Sequence, residues 1–208
     1  MADPILIIAA LNGARDRKVA KKLPYTPAEI AKEAKRAVEA GAGVVHVHAR
    51  RDDGASAFDL TFDEIVRAIR AQVDVPISIT TQRTRQTSLG TVTALFDVLS
   101  ELPELATVNT QPFAADLPAH REEARQILEA CERAGVAPEP GINALEAIAD
   151  FEALYEDGLL AQVPWLHLEL GAAAGASEQG LAGTPRNLLR LVDALDGTLG
   201  QLRWVAHG

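Results

Sequence analysis

The sequence is poor in cysteine and in positive charge. Cys131 is the single cysteine among 208 residues, and 20 Lys and Arg face 29 Asp and Glu, for a formal net charge of −9. One thiol cannot build a disulfide framework within the chain, which favours a reducing, cytoplasmic location. An acidic chain is a poor partner for a nucleic-acid backbone or an anionic membrane. We therefore expect neither nucleic acid nor a membrane as a partner.

Long hydrophobic runs and a glycine-rich phosphate fingerprint are also lacking. The short apolar run 5–11 has no basic leader and is followed at once by polar residues. This pattern predicts a buried strand and not a signal peptide or a membrane span. Gly13 stands alone after this strand, without the G-x-G-x-x-G spacing of a dinucleotide-binding loop.

What the sequence does contain is a regular alternation of short apolar runs with amphipathic stretches. The predicted strands are 5–10, 43–48, 76–80, 105–109, 136–138, 165–170 and 202–206. Six helices are predicted. Three of them begin at residues 27, 61 and 185, and the other three cover residues 89–99, 120–134 and 144–155. Such alternation predicts parallel strands joined by right-handed crossovers.

Seven strands with helices between them favour a TIM-type (β/α) barrel over a doubly wound sheet, although periodicity alone does not demonstrate closure. A complete barrel takes about 250 residues. We therefore expect residues 1–208 to form a single barrel domain that lacks its C-terminal strand and helices. Such a chain would be either truncated or completed by a partner subunit, because an open barrel exposes strand edges and apolar surface.

Three helix starts carry capping signals. Thr26, Pro27 and Glu29 combine an N-cap, a proline at the first helical position and a capping-box glutamate. Residues 61–64 repeat the capping-box pattern, and residues 184–185 repeat the Thr-Pro start.

Two histidines lie two residues apart on the second predicted strand. Alternation places His46 and His48 on one face, with Val45 and Val47 on the other, at the strand end that precedes the polar loop 49–54. Imidazoles from this spacing can bind one metal ion, and barrel enzymes place their chemistry at this end of the strands. The alternative is a pair of hydrogen-bonded core or loop histidines, because a bare H-x-H is weak evidence. A catalytic site also needs a third protein ligand.

Other polar residues allow two interpretations each. His167 and Glu169 share one face of the sixth strand and are either inward pocket residues or a satisfied helix-facing pair, of which we favour the second. Arg83 and Arg85 follow the third strand and form either a solvated loop or an anion site, as do the basic residues of the first loop. Cys131 lies on an apolar helical face, which predicts a core position.

The motifs, taken in order, resemble the beta-keto acid cleavage enzymes, which include 3-keto-5-aminohexanoate cleavage enzyme. The resemblance extends over nearly the whole chain, and each motif alone is modest. The segments that carry it are Asn12-Gly13-Ala14, Pro24-Tyr25-Thr26, 41–50 (GAGVVHVHAR), Asp53-Gly54, Ala106-Thr107-Val108-Asn109, 135–139 (GVAPE), 183–189 (GTPRNLL) and Trp204-Val205-Ala206.

The resemblance implies a barrel, usually a tetramer, that uses zinc or another divalent metal. It implies a reaction of a β-keto acid with acetyl-CoA that gives acetoacetate and a new acyl-CoA. His46 and His48 match the family's metal ligands. The metal would hold the ketone and carboxylate oxygens of the keto acid and, as a Lewis acid, stabilise the enolate-like charge that develops.

The resemblance also implies further site residues. Thr80, Thr107 and Glu139 fall close to family positions that line the substrate pocket, and Glu139 is the predicted catalytic carboxylate. We add Asn109 to the substrate-binding set from strand parity.

Two departures from the family pattern affect the site. Arg15 stands where much of the family has a glutamate near the metal. It cannot ligate a metal but could pair with a substrate carboxylate as a catalytic residue, or it is an exposed loop arginine. His207 lies where the chain stops, in place of the family's loop with a third histidine ligand and an arginine–aspartate pair. It is either the third metal ligand or an unrelated histidine.

Two other functions compete with this hypothesis. An amidohydrolase-like metallohydrolase also uses a strand-end H-x-H, but on the first strand and with further late-strand ligands, for which only His167 is supportive. A truncated barrel that binds a metal or a small acid without turnover is the non-enzyme alternative. Which keto acid is the substrate is not predicted from the sequence.

Overall fold

A computed structural model of the chain describes residues 5–14, 16–18, 20–83, 87–109, 120–160, 163, 165–171, 180–195 and 203–207. Within these residues the strands are β1 (Ile8–Ala10), β2 (Val44–Val47), β3 (Ile77–Thr80), β4 (Leu105–Asn109), β5 (Ala137–Ile142), β6 (Leu166–Glu169) and β7 (Trp204–His207). The helices are α1 (Pro27–Glu39), α2 (Thr61–Arg70), α3 (Leu89–Thr93), α4 (Leu95–Val98), α5 (His120–Ala134), α6 (Ala147–Glu156) and α7 (Pro185–Ala194). Each predicted strand and helix is present, most with shifted ends. The prediction that the first apolar run is a buried strand is wrong for residues 5–7, which are exposed and precede β1.

The chain divides into two compact units, residues 1–106 and 107–208. In the first unit the strand order is β1-β2-β3, and in the second it is β5-β6-β7, with parallel pairing throughout both groups. Strands that neighbour each other in chain order are those of a (β/α) barrel, whereas the order of a doubly wound sheet reverses at a switch point. The predicted fold class is confirmed. That residues 1–208 form one domain remains a prediction.

The core of the first unit lies between the strands and the apolar faces of α1 and α2. Val45 and Val47 of β2 are fully buried, as are Ile65 and Ile69 of α2. Burying each such side chain contributes about 1.5–3 kcal/mol. The register aligns Val45 with Ile77, so adjacent strands present apolar residues to the same helices.

The core of the second unit is built in the same way. Leu166 and Leu168 of β6 are fully buried, and Phe151 and Leu154 of α6 are buried with them. Cys131 is fully buried in α5, where desolvation raises the pKa of its thiol to about 12. The predicted core position of this cysteine is confirmed.

The start of α1 has the predicted capping box. The Thr26 hydroxyl accepts a hydrogen bond from the Glu29 amide at 3.3 Å, and the Glu29 carboxylate accepts from the Thr26 amide at 3.1 Å. The capping box predicted at Thr61 is wrong. Leu60 occupies the N-cap position with helical backbone angles and makes no side-chain cap, and the Asp59 carboxylate accepts from the Thr61 amide instead. The predicted helix 89–99 is divided into α3 and α4 at Ala94.

Among the described residues, none of the helices combines the length and apolar character that crossing a bilayer requires.

We expect Thr26→Ala to destabilise the first unit by about 1 kcal/mol, because the Glu29 amide loses its acceptor. Denaturant unfolding followed by circular dichroism measures this loss. Thr26→Ser keeps the hydroxyl and serves as the control, with a free energy of unfolding close to that of the wild type. Equal free energies of unfolding for the two variants would show that the Thr26 cap does not stabilise the protein.

Candidate active site

Strand β2 brings the rings of His46 and His48 together. Their centroids are 5.1 Å apart, and the ring planes are nearly perpendicular, at 84°. Both histidines are partly exposed, whereas Val45 and Val47 on the opposite face are fully buried. The two rings therefore lie on one face of the strand, as the alternation predicts.

Two buried polar residues hold this pair in position. The Ser78 hydroxyl lies 2.9 Å from His46 Nδ1, and Ser78 is the register partner of His46 on β3. The Asn12 side chain accepts from the His48 amide at 2.9 Å and donates to the His48 carbonyl at 2.8 Å. Ser78 orients a ring, and Asn12 fixes the backbone that carries the other ring. Neither was predicted as a site residue.

The protonation state of His48 suits metal binding. Burial, helped by the positive charge of Arg50, lowers the pKa of His48 to about 3. The ring is therefore neutral at pH 7, and a neutral imidazole is the form that binds a metal ion.

The spacing of the two rings fits a shared metal ion. An ion about 2.0–2.1 Å from each ring nitrogen lies about 3.2 Å from each ring centre, which places two rings about 5 Å apart in tetrahedral coordination. The Ser78 hydroxyl supplies the outer-shell hydrogen bond that metal-binding histidines usually make. Within the described parts of the chain, however, no group of three or more His, Cys, Asp or Glu side chains is arranged to hold a metal.

A pocket of about 550 Å³ opens beside His48 in the first unit. Arg50, Arg51 and Arg83 are part of its lining. Arg50 is buried, and its guanidinium donates to the carbonyls of Gly13 at 2.7 Å and Gly54 at 2.8 Å. Arg50 therefore links the loop after β1 to the loop after β2 through these two hydrogen bonds.

A second polar cluster occupies the sheet face of the second unit. Glu139 of β5 is completely buried, and its carboxylate accepts a hydrogen bond from Trp165 Nε1 at 2.7 Å. His167 Nε2 lies 3.2 Å from the same carboxylate oxygen and 3.0 Å from Trp165 Nε1. His167 Nδ1 is buried and has no hydrogen-bond partner among the residues described. Since buried polar atoms are normally satisfied, this atom is a candidate contact for a ligand or a water.

The carboxylate of Glu169 joins β4, β6 and β7 on the same face. Asn109 Nδ2 donates to Glu169 Oε2 at 3.0 Å, and His207 Nε2 lies 3.7 Å from Glu169 Oε1. Gly141 of β5 makes room for this carboxylate, because a Cβ there would lie 2.5 Å from Glu169 Oε1. Burial opposes protonation of His207, but Glu169 and Glu139 outweigh it, so the pKa of His207 is raised.

The other predicted site residues have the following positions. Thr80 is buried at the end of β3, where its hydroxyl accepts from the Gln82 amide at 3.0 Å. Thr107 is buried on β4. Arg15 and Arg85 lie outside the described residues. His167 was expected to belong to a satisfied helix-facing pair. It lies instead in the polar cluster with Glu139, on the face opposite Leu166 and Leu168, and its hydrogen bonds are satisfied at Nε2 but not at Nδ1.

Comparison with known proteins identifies relatives. The family profile for beta-keto acid cleavage enzyme matches residues 4–208. A 3-keto-5-aminohexanoate cleavage enzyme of Fusobacterium nucleatum is 42% identical over 72 residues, which are 34% of this chain and 26% of the relative. The enzyme of the same name from Acetoanaerobium sticklandii is 47% identical over 53 residues, which are 25% of this chain and 19% of the relative. The matched segments thus span about a quarter or less of these curated relatives.

A structural relative supports the fold class. The crystal structure of a candidate dihydrodipicolinate synthetase from Pseudomonas aeruginosa aligns with a TM-score of 0.62 at 15% identity, covering 98% of this chain and 64% of that one. At this identity the likeness concerns the fold alone.

We expect Ser78→Ala to weaken binding of Zn²⁺ by about 10–100-fold, because the His46 ring loses its orienting hydrogen bond. Competition with a chromophoric chelator measures the affinity. Ser100→Ala removes a hydroxyl that donates to Asp63 in the same unit and is the matched control. An unchanged affinity in Ser78→Ala would contradict the role of Ser78.

We expect Trp165→Phe to lower the free energy of unfolding by about 1.5–3 kcal/mol, because it removes a hydrogen bond to the buried Glu139 carboxylate. Trp204→Phe is the matched control, since the exposed Trp204 lies on β7 and its replacement should cost no more than about 0.5 kcal/mol. Equal losses in the two variants would contradict a stabilising role for the Trp165 indole N–H.

Proposed function

This chain belongs to the beta-keto acid cleavage enzyme family, and on that premise we propose that it transfers acyl groups between a β-keto acid and acetyl-CoA. The observation that carries the proposal is the pair of oriented imidazoles 5.1 Å apart on β2, of which His48 is kept neutral by burial, in a chain whose family match extends over residues 4–208.

In the proposed reaction, R–CO–CH₂–COO⁻ and acetyl-CoA give acetoacetate and R–CO–CoA. The bond between the α-carbon and the keto carbon of the β-keto acid breaks. A bond between that α-carbon and the acetyl carbon forms, and the CoA sulfur takes the R–CO group. Atoms and charges balance, so no oxidant or reductant is needed.

His46 and His48 are the proposed ligands of one divalent metal ion, for which zinc is the first candidate. When bound, such an ion supplies Lewis acidity that stabilises negative charge on the keto acid oxygens. The chain's own residues prepare this site: Ser78 orients His46, and Asn12 fixes the backbone of His48.

His207 is the proposed third ligand, as the resemblance suggests. Its protonation behaviour differs from that of His48, because the carboxylates beside it favour the charged ring. Protons therefore compete with a metal ion more strongly at His207 than they would at an imidazole with an ordinary pKa.

Glu139 is the proposed catalytic acid–base residue. A buried carboxylate with an indole donor and an imidazole within 3.2 Å can accept a proton and share it with the histidine. Arg15 remains a proposed partner of a substrate carboxylate, and Thr80, Thr107 and Asn109 remain proposed substrate contacts. A homo-oligomer, a tetramer by analogy with the family, and a cytoplasmic location are further proposals.

We expect His46→Ala and His48→Ala each to lower kcat/KM for acetoacetate formation by about 100-fold or more, because loss of a direct ligand costs at least as much as loss of an outer-shell partner. The assay supplies acetyl-CoA, a panel of β-keto acids and Zn²⁺, and elemental analysis follows metal content in parallel. His120→Ala, at the first residue of α5, is the control and should retain both activity and metal.

Three outcomes would contradict the proposal. Full activity in both variants would remove the histidines from the mechanism. Hydrolysis without coenzyme A would indicate a metallohydrolase. Bound metal without turnover of any keto acid would indicate a binding protein.

A further inference from the structure

The pocket beside His48 is cationic. Among the described residues that line its 550 Å³ are three arginines, Arg50, Arg51 and Arg83, and none of these lining residues is Asp or Glu. Neutral donors complete the wall: Ser56, Gln82, Thr87 and Thr91. The chain as a whole has a formal net charge of −9, so the pocket is locally positive in a protein that is negative overall.

The positive charge of Arg50 is partly compensated: its Cζ lies 5.8 Å from the centre of the Tyr25 ring, and the Asp16 carboxylate attracts it electrostatically. Arg50 is 8% exposed, and the acceptors of its two terminal nitrogens, the carbonyls of Gly13 and Gly54, are neutral. Its Nε is buried and has no hydrogen-bond partner in the described part of the chain. Buried charges in proteins are normally paired by direct hydrogen bonds, so an anion in the pocket would add a direct partner to the more distant ones that this guanidinium already has.

Arg51 stands at the more open side of the pocket. Its side chain is 57% exposed, and its guanidinium lies 2.6 Å from the Asp59 carboxylate. An exposed pair of this kind contributes about 1 kcal/mol or less, so an incoming anion can compete for the arginine at small cost.

We propose that this pocket receives a second carboxylate, carried at the far end of the β-keto acid, so that the substrate class of this chain is the β-keto dicarboxylates. This inference rests on the proposed function and deepens it. Arginine guanidinium groups bind carboxylates in bidentate geometry, and a site built to pair with a polar group discriminates strongly against an analogue that lacks it. The new thioester product then retains the distal carboxylate.

The position of the pocket favours the keto acid over the other anionic groups in the reaction. His48, a proposed metal ligand, is itself part of the lining. In acetyl-CoA the pantetheine arm separates the phosphates from the reacting thioester, so phosphates do not belong beside the reaction centre. The carboxylate next to the ketone is common to every substrate and is already held by the proposed metal.

The test compares two keto acids of equal length, 3-oxohexanedioate and 3-oxohexanoate, which differ only by a carboxylate in place of a methyl group. We expect the wild type to prefer the dicarboxylate by about 100-fold in kcat/KM. Arg51→Gln and Arg83→Gln should each lower kcat/KM for the dicarboxylate by about 10-fold or more and change that for 3-oxohexanoate by less than about threefold. Arg36→Gln removes a cation paired with Glu33 on α1 and is the matched control.

A charge reversal sharpens the test. Arg83→Glu should lose the preference for the dicarboxylate and gain activity with 5-amino-3-oxopentanoate, whose ammonium group replaces the distal carboxylate. Thermal unfolding of each variant shows that it is folded. A variant that unfolds is replaced by Arg51→Glu, for which the same reversal is expected.

Three results would overturn the inference. One is a wild type that favours 3-oxohexanoate. Another is an equal loss on both substrates in the arginine variants, which would assign the arginines to the shared carboxylate. The third is a rise in the KM for acetyl-CoA in the arginine variants, without any other change. If that rise is absent when the acetyl thioester of dephospho-coenzyme A is the substrate, the arginines bind a phosphate of coenzyme A.

A binding measurement separates this inference from the proposed function. Hexanedioate, which cannot react, should raise the melting temperature more than hexanoate does, and Arg83→Gln should abolish that difference. If no keto acid is turned over but this difference is present, the proposed function fails and the anion pocket stands. If turnover is present but the difference is absent and 3-oxohexanedioate is not preferred, the inference alone fails.

Discussion

The twofold alternation of side chains along β2 is the constraint on which the candidate site depends. It buries Val45 and Val47 against the helices and leaves His46 and His48 together on the other face. A shift of one residue in register would exchange these sets, placing imidazoles in the core and valines at the site. The apolar burial that stabilises the first unit therefore also orients the two histidines. Asn12 fixes the position of His48 through two hydrogen bonds to its backbone.

The two units carry opposite chemical character on their polar faces. In the first unit His48 lines a pocket together with three arginines, and the Arg50 charge helps burial to keep His48 neutral. In the second unit the carboxylates of Glu139 and Glu169 interact with His167 and His207. A neutral imidazole beside cations suits a metal and an anionic substrate, whereas a carboxylate–imidazole pair such as Glu139 and His167 suits proton transfer. The roles proposed for His48 and for Glu139 follow from this difference in electrostatics, whereas His207 is proposed as a ligand in spite of the carboxylates beside it.

Much of the fold could be predicted because its signals are local. Strand 105–109 and helix 120–134 have the predicted bounds, and the Thr26 capping box is confirmed. The same local signal was wrong at Thr61, because Leu60 adopts helical angles and Asp59 satisfies the Thr61 amide. The break between α3 and α4 at Ala94 has no glycine or proline to predict it.

The site was predicted less completely, because its supporting contacts join residues far apart in the chain. His46 and His48 are recognisable from their spacing, but Ser78 becomes a partner of His46 only through the register of β3 against β2. The contact between Glu139 and His167 likewise depends on how β5 and β6 are paired. Strand parity could have placed these residues on the correct face but not within hydrogen-bond distance of one another.

The most direct measurement of the central claim is X-ray absorption at the zinc edge of the zinc-loaded protein. Coordination by His46 and His48 predicts two imidazole nitrogens at about 2.0–2.1 Å, with the outer-ring scattering that histidine ligands produce. In the double variant His46→Gln/His48→Gln that scattering should be lost. A zinc site without imidazole scattering in the wild-type protein, or one that is identical in the double variant, would contradict the assignment.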